Sequence, residues 1–343
     1  MVESPRRADA DGVEAFIRRI AAAFALGEPT DWQALPDVST NLRWDVRTPS
    51  GRYVVKQLRY PPTDDIWRRA VERAAEFELR AHRAGFVAMA PPRHSVEGHL
   101  IELTTGVDGP AALVRVHEWM AGEPVSPLAP LATVTAAGQQ LASVQTFGAV
   151  DHAGQAGSLR WWSWEPDRWL AALADAAMID PRVAADGRRA LAEAASLIDL
   201  SERCAKTWTM CHFDHKPDNV LLTARGLVLL DWDEAAMCPP RCEAAEAALL
   251  WAATGEEIDR QRLDAFLEGF RTAGGTLDEP TVADMGKWVA SKTGWFDYMA
   301  RRALQVLPCS GREADRALTL ARSALQELSD GLGAADQWVR WMG

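Results

Sequence analysis

The chain has 343 residues, 48% of them hydrophobic, which suits one large domain or two lobes around a sizeable core. Its formal net charge of −11 argues against a nucleic-acid partner, whose phosphates it would repel, and is compatible with a cationic ligand. Five cysteines in no disulfide-like pattern favour a reducing, cytoplasmic setting. Cys238 and Cys242 enclose Pro239 and Pro240 and lack the second pair that a zinc site needs. The first residues hold no apolar signal core, and no run of about 18 apolar residues suggests a membrane span.

In chain order, Val13, Phe16, Ile17, Ile20 and Phe24 fall at helical spacing and predict a helix over 12–27. Residues 42–48 alternate apolar and polar, Pro49-Ser50-Gly51 is a turn, and Arg52-Tyr-Val-Val-Lys-Gln-Leu58 follows as a strand, which predicts a hairpin. A helix over 64–84 ends at Gly85, and strands are expected at 100–105 and 112–119. After Gly122 the composition turns helical, with helices expected at 131–147, 165–177, 185–199, 242–253, 259–273, 280–306 and 312–329. Only 207–211, 219–223 and 227–231 read as strands there. The reading is α+β, with an N-terminal antiparallel sheet carrying one internal helix and a mostly helical second lobe. Domains are expected at 1–120 and 121–343. The Gly-, Ser- and Trp-containing segment 151–165 reads as a loop or insertion.

The chemistry concentrates in Cys211-His-Phe-Asp-His-Lys-Pro-Asp-Asn219 and Leu230-Asp-Trp-Asp-Glu234. Val220-Leu-Leu and Leu227-Val-Leu-Leu flank Thr223-Ala-Arg-Gly226, a turn between two short strands, so Asn219 enters one strand and Asp231 leaves the other. An amide oxygen and a carboxylate brought together in this way suit magnesium. Asp214 lies on the preceding loop, where it can face a hydroxyl. Each acid alone could be a turn former or cap. The joint spacing of His212, Asp214, Asn219 and Asp231 is much more specific and is how phosphoryl-transfer enzymes are built.

His212-x-Asp214-x-x-x-x-Asn219 followed by Asp231-x-Asp233 resembles the aminoglycoside phosphotransferase and choline kinase-like family, small-molecule kinases of bilobal, protein-kinase-like fold. The resemblance runs from about Asn41 to the helices near 300. It implies Asp214 as catalytic base, Asn219 and Asp231 as Mg2+ ligands, and His212 as support for the loop. Two departures stand out. Phe213 occupies a position where the family usually has Gly. Lys216-Pro217 looks more like the loop of protein kinases, in which the lysine approaches the transferred phosphate. Asp-Trp-Asp in place of Asp-Phe-Gly, and the missing Ala-Pro-Glu segment, speak against a protein kinase.

Lysine is scarce, with Lys56, Lys206, Lys216, Lys287 and Lys292 the only ones among 37 basic residues. A strand lysine ordinarily points to solvent. Beside the catalytic segment, Lys56 resembles the kinase lysine that holds the nucleotide α- and β-phosphates. Its partner on the next helix would be Glu76, with Glu78 as the alternative. Ser39, Thr40 and Asn41 stand where a phosphate loop belongs. The segment 115–124 resembles an inter-lobe hinge, so backbone groups of Glu118, Trp119 and Met120 would meet the base of ATP, or of GTP.

On the substrate side, Asp233, Glu234, Trp295 and Asp297 are candidates for a cationic or sugar-like molecule. Glu243 and Glu246 could also bind ammonium groups, but Glu246 reads better as a structural acid of the family. The expected function is transfer of the γ-phosphate to a hydroxyl of an aminoglycoside-like antibiotic. A metabolic kinase of choline, a sugar or an amino acid shares every motif; a protein kinase and a non-catalytic nucleotide-binding module are the remaining alternatives. A monomer or homodimer is expected.

Overall fold

The computed structural model describes every residue except 1–6, 36–40, 59–63, 86, 108, 152–156, 161–163, 256, 308 and 310. The expectations at Ser39 and Thr40 lie outside the described residues. The chain divides into two compact units. One is Met1–Glu123 with Val228–Asp233, and the other is Pro124–Leu227 with Glu234–Gly343. The first boundary lies three residues beyond the expected one, and the return of Val228–Asp233 to the first unit was not anticipated.

The first unit contains α1 (Arg7–Ala23), β1 (Asp31–Ala34), β2 (Leu42–Thr48), β3 (Gly51–Leu58), α2 (Asp65–Ala84), β4 (Glu102–Thr105) and β5 (Ala111–Glu118). The strands form one antiparallel sheet in the order β1-β2-β3-β5-β4. The apolar stripe of α1 covers one face. Phe16, Ile17, Ile20 and Phe24 pack on Trp44, Val46, Val55, Val114 and Val116, all nearly inaccessible, with the Phe16 and Trp44 rings 5.1 Å apart. Burying side chains of this size contributes about 1.5–3 kcal/mol each.

The helix α2 starts where the Asp64 carboxylate accepts from the amides of Ile66 and Trp67, both at 3.0 Å, and stops at Gly85, whose φ of 67° is left-handed. Its buried stripe includes Trp67, Ala70, Val71, Ala74, Phe77, Glu78 and Ala81. The returning segment docks through the Leu229 amide, which donates to the Ala88 carbonyl at 2.9 Å, and through Trp232, which is buried with its ring 5.9 Å from Phe77.

At the join lies β6 (Glu123–Pro124). The second unit then holds α3 (Leu131–Asp151), α4 (Pro166–Asp175), α5 (Pro181–Cys204), β7 (Thr209–Cys211), β8 (Val220–Thr223) and β9 (Gly226–Leu229), whose last two residues belong to the first unit. There follow β10 (Ala236–Cys238), α6 (Pro240–Ala252), β11 (Ala253–Thr254), β12 (Glu257–Ile258), α7 (Arg260–Thr272), α8 (Gly286–Ala303) and α9 (Gly311–Met342). The helix expected over 280–306 is broken. Thr281 and Asp284 form a capping box on a 3-10 turn at Val282–Met285, and α8 begins only at Gly286.

Close helix packing in this unit depends on glycine. A Cβ on Gly138 of α3 would lie 2.1 Å from the Phe266 carbonyl oxygen, and one on Gly269 of α7 would lie 2.0 Å from that of Thr135. A Cβ on Gly148 would lie 1.8 Å from the Met210 carbonyl oxygen, so α3 also presses directly on β7, the strand that feeds the His212–Asp214 segment.

Candidate active site

In the second unit, β7 pairs antiparallel with β10, and the chain leaves it at Cys211 into the loop His212–Lys216. A 3-10 turn at Pro217–Asn219 closes the loop. Asn219 faces back across it. Its Nδ2 donates to the Asp214 carbonyl at 2.8 Å and to Asp214 Oδ2 at 2.7 Å. Lys216 Nζ lies 2.8 Å from the same Oδ2. Asp214 thus has one carboxylate oxygen held by an amide and an ammonium, while its side chain keeps 23% of its accessible surface. Burial disfavours its charge, but the Lys216 ammonium, with His212 and Lys287 nearby, outweighs burial and holds its pKa below the usual carboxylate range. Asp214 is therefore an ionised carboxylate near neutral pH, held in a defined orientation.

The loop is anchored from beneath. The Glu243 carboxylate on α6, nearly inaccessible, accepts from the Phe213 amide at 2.7 Å and from Gln145 Nε2 at 2.9 Å. One helical turn later, the buried Glu246 pairs with Lys287 at 2.8 Å, a contact inside the protein, and the acid that touches the loop is Glu243. His212 is fully buried, and its Nδ1 is 3.4 Å from the Asp214 amide, a long contact. His215 is buried between Gln140 and Trp251, whose Nε1 donates to its Nδ1 at 3.1 Å. Burial and the neighbouring His212 push its pKa down to about 3, so it stays neutral and structural.

In the first unit, the cross-strand register places Arg43, Lys56 and Arg115 in one row on the sheet face away from α1. Three acids answer them. Lys56 Nζ pairs with Asp231 at 2.5 Å and with Asp233. The Arg115 guanidinium bridges Glu78 and Asp233, and His117 Nε2 lies 3.0 Å from Glu78. Burial would lower the Lys56 pKa, but Asp231 and Asp233 more than offset it and raise it. Burial would likewise raise the pKa values of Asp233 and Glu78, but their cationic neighbours hold both below the usual range. Asp231 has a φ of 61°, a left-handed conformation that Asp tolerates better than most residues.

These facts correct three expectations. Glu76 is exposed on α2 and lies 3.9 Å from Arg80, because the buried stripe passes two residues later. Glu78 is buried but is engaged by Arg115 and His117 rather than by Lys56. Asp233 is buried between Lys56 and Arg115 and so is committed within the protein rather than offered to a substrate. Arg115 had no motif to mark it, since its importance arises from a contact with Glu78 across 37 residues of sequence.

The remaining residues are placed as follows. Asn41 is half-buried just before β2. The Glu118 amide donates to Pro91 O and the Trp119 amide to Arg52 O, both at 2.9 Å, while the Arg52 guanidinium stacks 3.5 Å from the Trp119 ring centroid. Two of the three amides expected to meet a base are therefore committed internally, and that expectation narrows to Met120 and to carbonyl groups. Glu234 is half-buried. Trp295 is 39% exposed and stacks on Tyr298, with centroids 6.1 Å apart. Asp297 points inward, accepting from the Glu165 amide at 2.6 Å and pairing with Arg301 at 2.8 Å. Burial pushes its pKa up to about 6. It ties α8 to the start of α4, which corrects its assignment as a substrate contact.

The family model of the phosphotransferase enzyme family (APH) matches residues 31–282. No curated protein sequence matches the chain. Among solved structures, a spectinomycin phosphotransferase in complex with ADP and spectinomycin is similar at a TM-score of 0.63 and 12% identity, covering 94% of this chain and 98% of that one. A microcompartment-associated aminopropanol kinase has a TM-score of 0.62 and 14% identity over 94% and 98%. An amicoumacin kinase in complex with AMP-PNP and Ca2+ has 0.61 and 15% over 95% and 96%. At these identities the structures establish the protein-kinase-like fold. The family match, which runs from β1 through the lysine strand and the catalytic loop to residue 282, covers well over half of the sequence, and on that ground the chain belongs to the phosphotransferase enzyme family of ATP-dependent small-molecule kinases.

Proposed function

We propose that the protein transfers the γ-phosphate of ATP, or of GTP, to a hydroxyl of a small cationic or sugar-like molecule, in the first instance an aminoglycoside-like antibiotic. The observation that carries the reading is the Asp214 carboxylate, ionised, partly accessible, and fixed by Asn219 and Lys216 on one oxygen. Its second oxygen is the one to orient the acceptor hydroxyl and receive its proton. Lys216 neutralises charge beside the reacting group, and Lys56 exchanges its carboxylate partners for the nucleotide phosphates. His212 is a structural support of the loop.

Asn219 and Asp231 are the magnesium ligands in this reading, on donor chemistry. Both N–H bonds of the Asn219 amide group are spent on Asp214, which leaves its carbonyl oxygen for a cation, and Asp231 brings a carboxylate. A bound magnesium ion would neutralise charge on the phosphates. The net charge of −11 and the exposed Trp295 favour a cationic acceptor, through attraction and cation–π contact.

A panel of hydroxyl acceptors, including aminoglycosides, spectinomycin, amino alcohols, choline and sugars, tests the reading by nucleotide consumption and product mass. Asp214→Ala is expected to lower kcat on the accepted compound by about 10²–10⁴-fold or more while nucleotide affinity stays within a few-fold. Wild-type turnover in that variant would remove Asp214 from the mechanism. Activity confined to amino alcohols or choline, with no antibiotic protection of a host expressing the chain, would favour the metabolic reading, which the fold of the aminopropanol kinase equally accommodates.

A further inference from the structure

Phe213 sits one residue before Asp214 with a φ of 72°, in the left-handed region that a side chain bearing Cβ seldom adopts. The conformation therefore has to be imposed by the surroundings. Two contacts impose it. The Phe213 amide is held by Glu243 at 2.7 Å, and the ring, only 3% exposed, lies under the ammonium of Lys287, whose Nζ is 3.9 Å from the ring centroid. Lys287 is itself 2% exposed and fixed on α8 by Glu246 at 2.8 Å and by Ser291 Oγ at 2.5 Å. A desolvated ammonium over an aromatic face is the strong case of a cation–π contact. The carboxylate of Glu246 keeps Lys287 charged against the cost of burial.

We propose that Lys287 is a positioning residue for catalysis: through its contact with the Phe213 ring it holds the left-handed bend that presents the Asp214 carboxylate. The Glu246–Lys287–Phe213 chain occupies the space beneath a position where glycine alone would need no such support. Lys287 thereby accounts for one of the chain's five lysines and for Phe213 together.

The inference rests on Asp214 being the catalytic carboxylate, so Asp214→Ala is measured in parallel on the same acceptor. The test compares wild type, Lys287→Arg, Lys287→Met/Glu246→Gln, Phe213→Gly and the triple variant. The paired Lys287→Met/Glu246→Gln change leaves no unpaired buried charge, and circular dichroism with thermal melting checks that it folds. Its kcat is expected to fall about 10–100-fold, with nucleotide KM within about three-fold. Lys287→Arg, which keeps a cation over the ring, should recover most of the loss. In the Phe213→Gly background the same paired change should alter kcat by less than about three-fold, because the ring it acts through is gone.

A folded Lys287→Met/Glu246→Gln variant with wild-type kcat would overturn the proposal. So would an equal loss with and without Phe213, which would mean that Lys287 acts by another route. If the paired variant does not fold, Phe213→Gly and Phe213→Ala decide: Phe213→Gly, which adopts the bend unaided, should keep kcat within about three-fold of wild type, Phe213→Ala, which keeps the Cβ but loses the ring that Lys287 holds, should lower it about 10-fold or more, and equal kcat in the two overturns the proposal. An active Asp214→Ala enzyme would instead refute the reading on which the inference stands.

Discussion

Replacing Arg115 by Met tests the buried ionic row of the first unit. The guanidinium is 1% exposed and joins Glu78 and Asp233, themselves buried. Its removal takes from Glu78 its guanidinium partner and leaves Asp233 with Lys56. Breaking a buried pair from one side costs about 3–5 kcal/mol, because the partner charge stays behind in a poor solvent. For a unit of this size, with about 3 °C of melting temperature per kcal/mol, the expected loss at pH 7.5 is about 9–15 °C.

The pH dependence gives the sharper check. In the wild type, the depressed pKa values of Glu78 and Asp233 contribute stability above the unfolded carboxylate pKa, about 4, and that stability is lost as pH falls through the folded values. Without Arg115, burial dominates and raises the pKa of at least one of these acids. The variant then takes up a proton on folding and regains stability as pH falls towards 4.5. The gap in melting temperature between wild type and variant, followed by circular dichroism, should therefore narrow from pH 7.5 to pH 4.5. A gap below about 2 °C at pH 7.5, or one of constant size across that range, would refute the argument.

Glu76→Gln should leave stability within about 0.5 kcal/mol and activity at wild-type level, since the side chain is exposed and its nearest cation, Arg80, is 3.9 Å away; a loss of turnover would restore it as the functional acid of α2. Gly138→Ala and Gly269→Ala should each destabilise the protein by about 1–3 kcal/mol in chemical denaturation. The helix-propensity gain of about 0.8–1 kcal/mol for Ala is outweighed because the new methyl would meet backbone atoms at 2.1 and 2.0 Å. An unchanged midpoint in either variant would show that α3 and α7 can separate at no cost.

Much of the fold was legible because its signals are local. The stripe Phe16, Ile17, Ile20, Phe24 and the alternation around Pro49-Ser-Gly51 predict α1 and the β2–β3 hairpin from neighbouring residues alone. The strand β1 was missed, since four mostly exposed residues carry no period. The break before α8 was missed because it depends on a cap between Thr281 and Asp284 inside a helix-like run.

The same division runs through the site. Asp214, Lys216 and Asn219 were readable because one short loop closes on itself, so five residues of spacing suffice to bring an amide to a carboxylate. Which acid serves which cation was not readable. Glu76 and Glu78 differ by about 200° around a helix, and only the packing of α2 decides which one is buried. Glu243 and Glu246 lie on one face a turn apart, and only the approach of the loop and of α8 separates their partners. Sequence alone was enough for the phosphotransferase class and for the contacts within the 212–219 loop, which join near neighbours in the chain. Tertiary structure decided the ion-pair assignments, the internal commitment of Asp233 and Asp297, and the seat of Phe213 under Lys287, because each depends on residues distant in sequence meeting where charge is desolvated and its partner has to be specific.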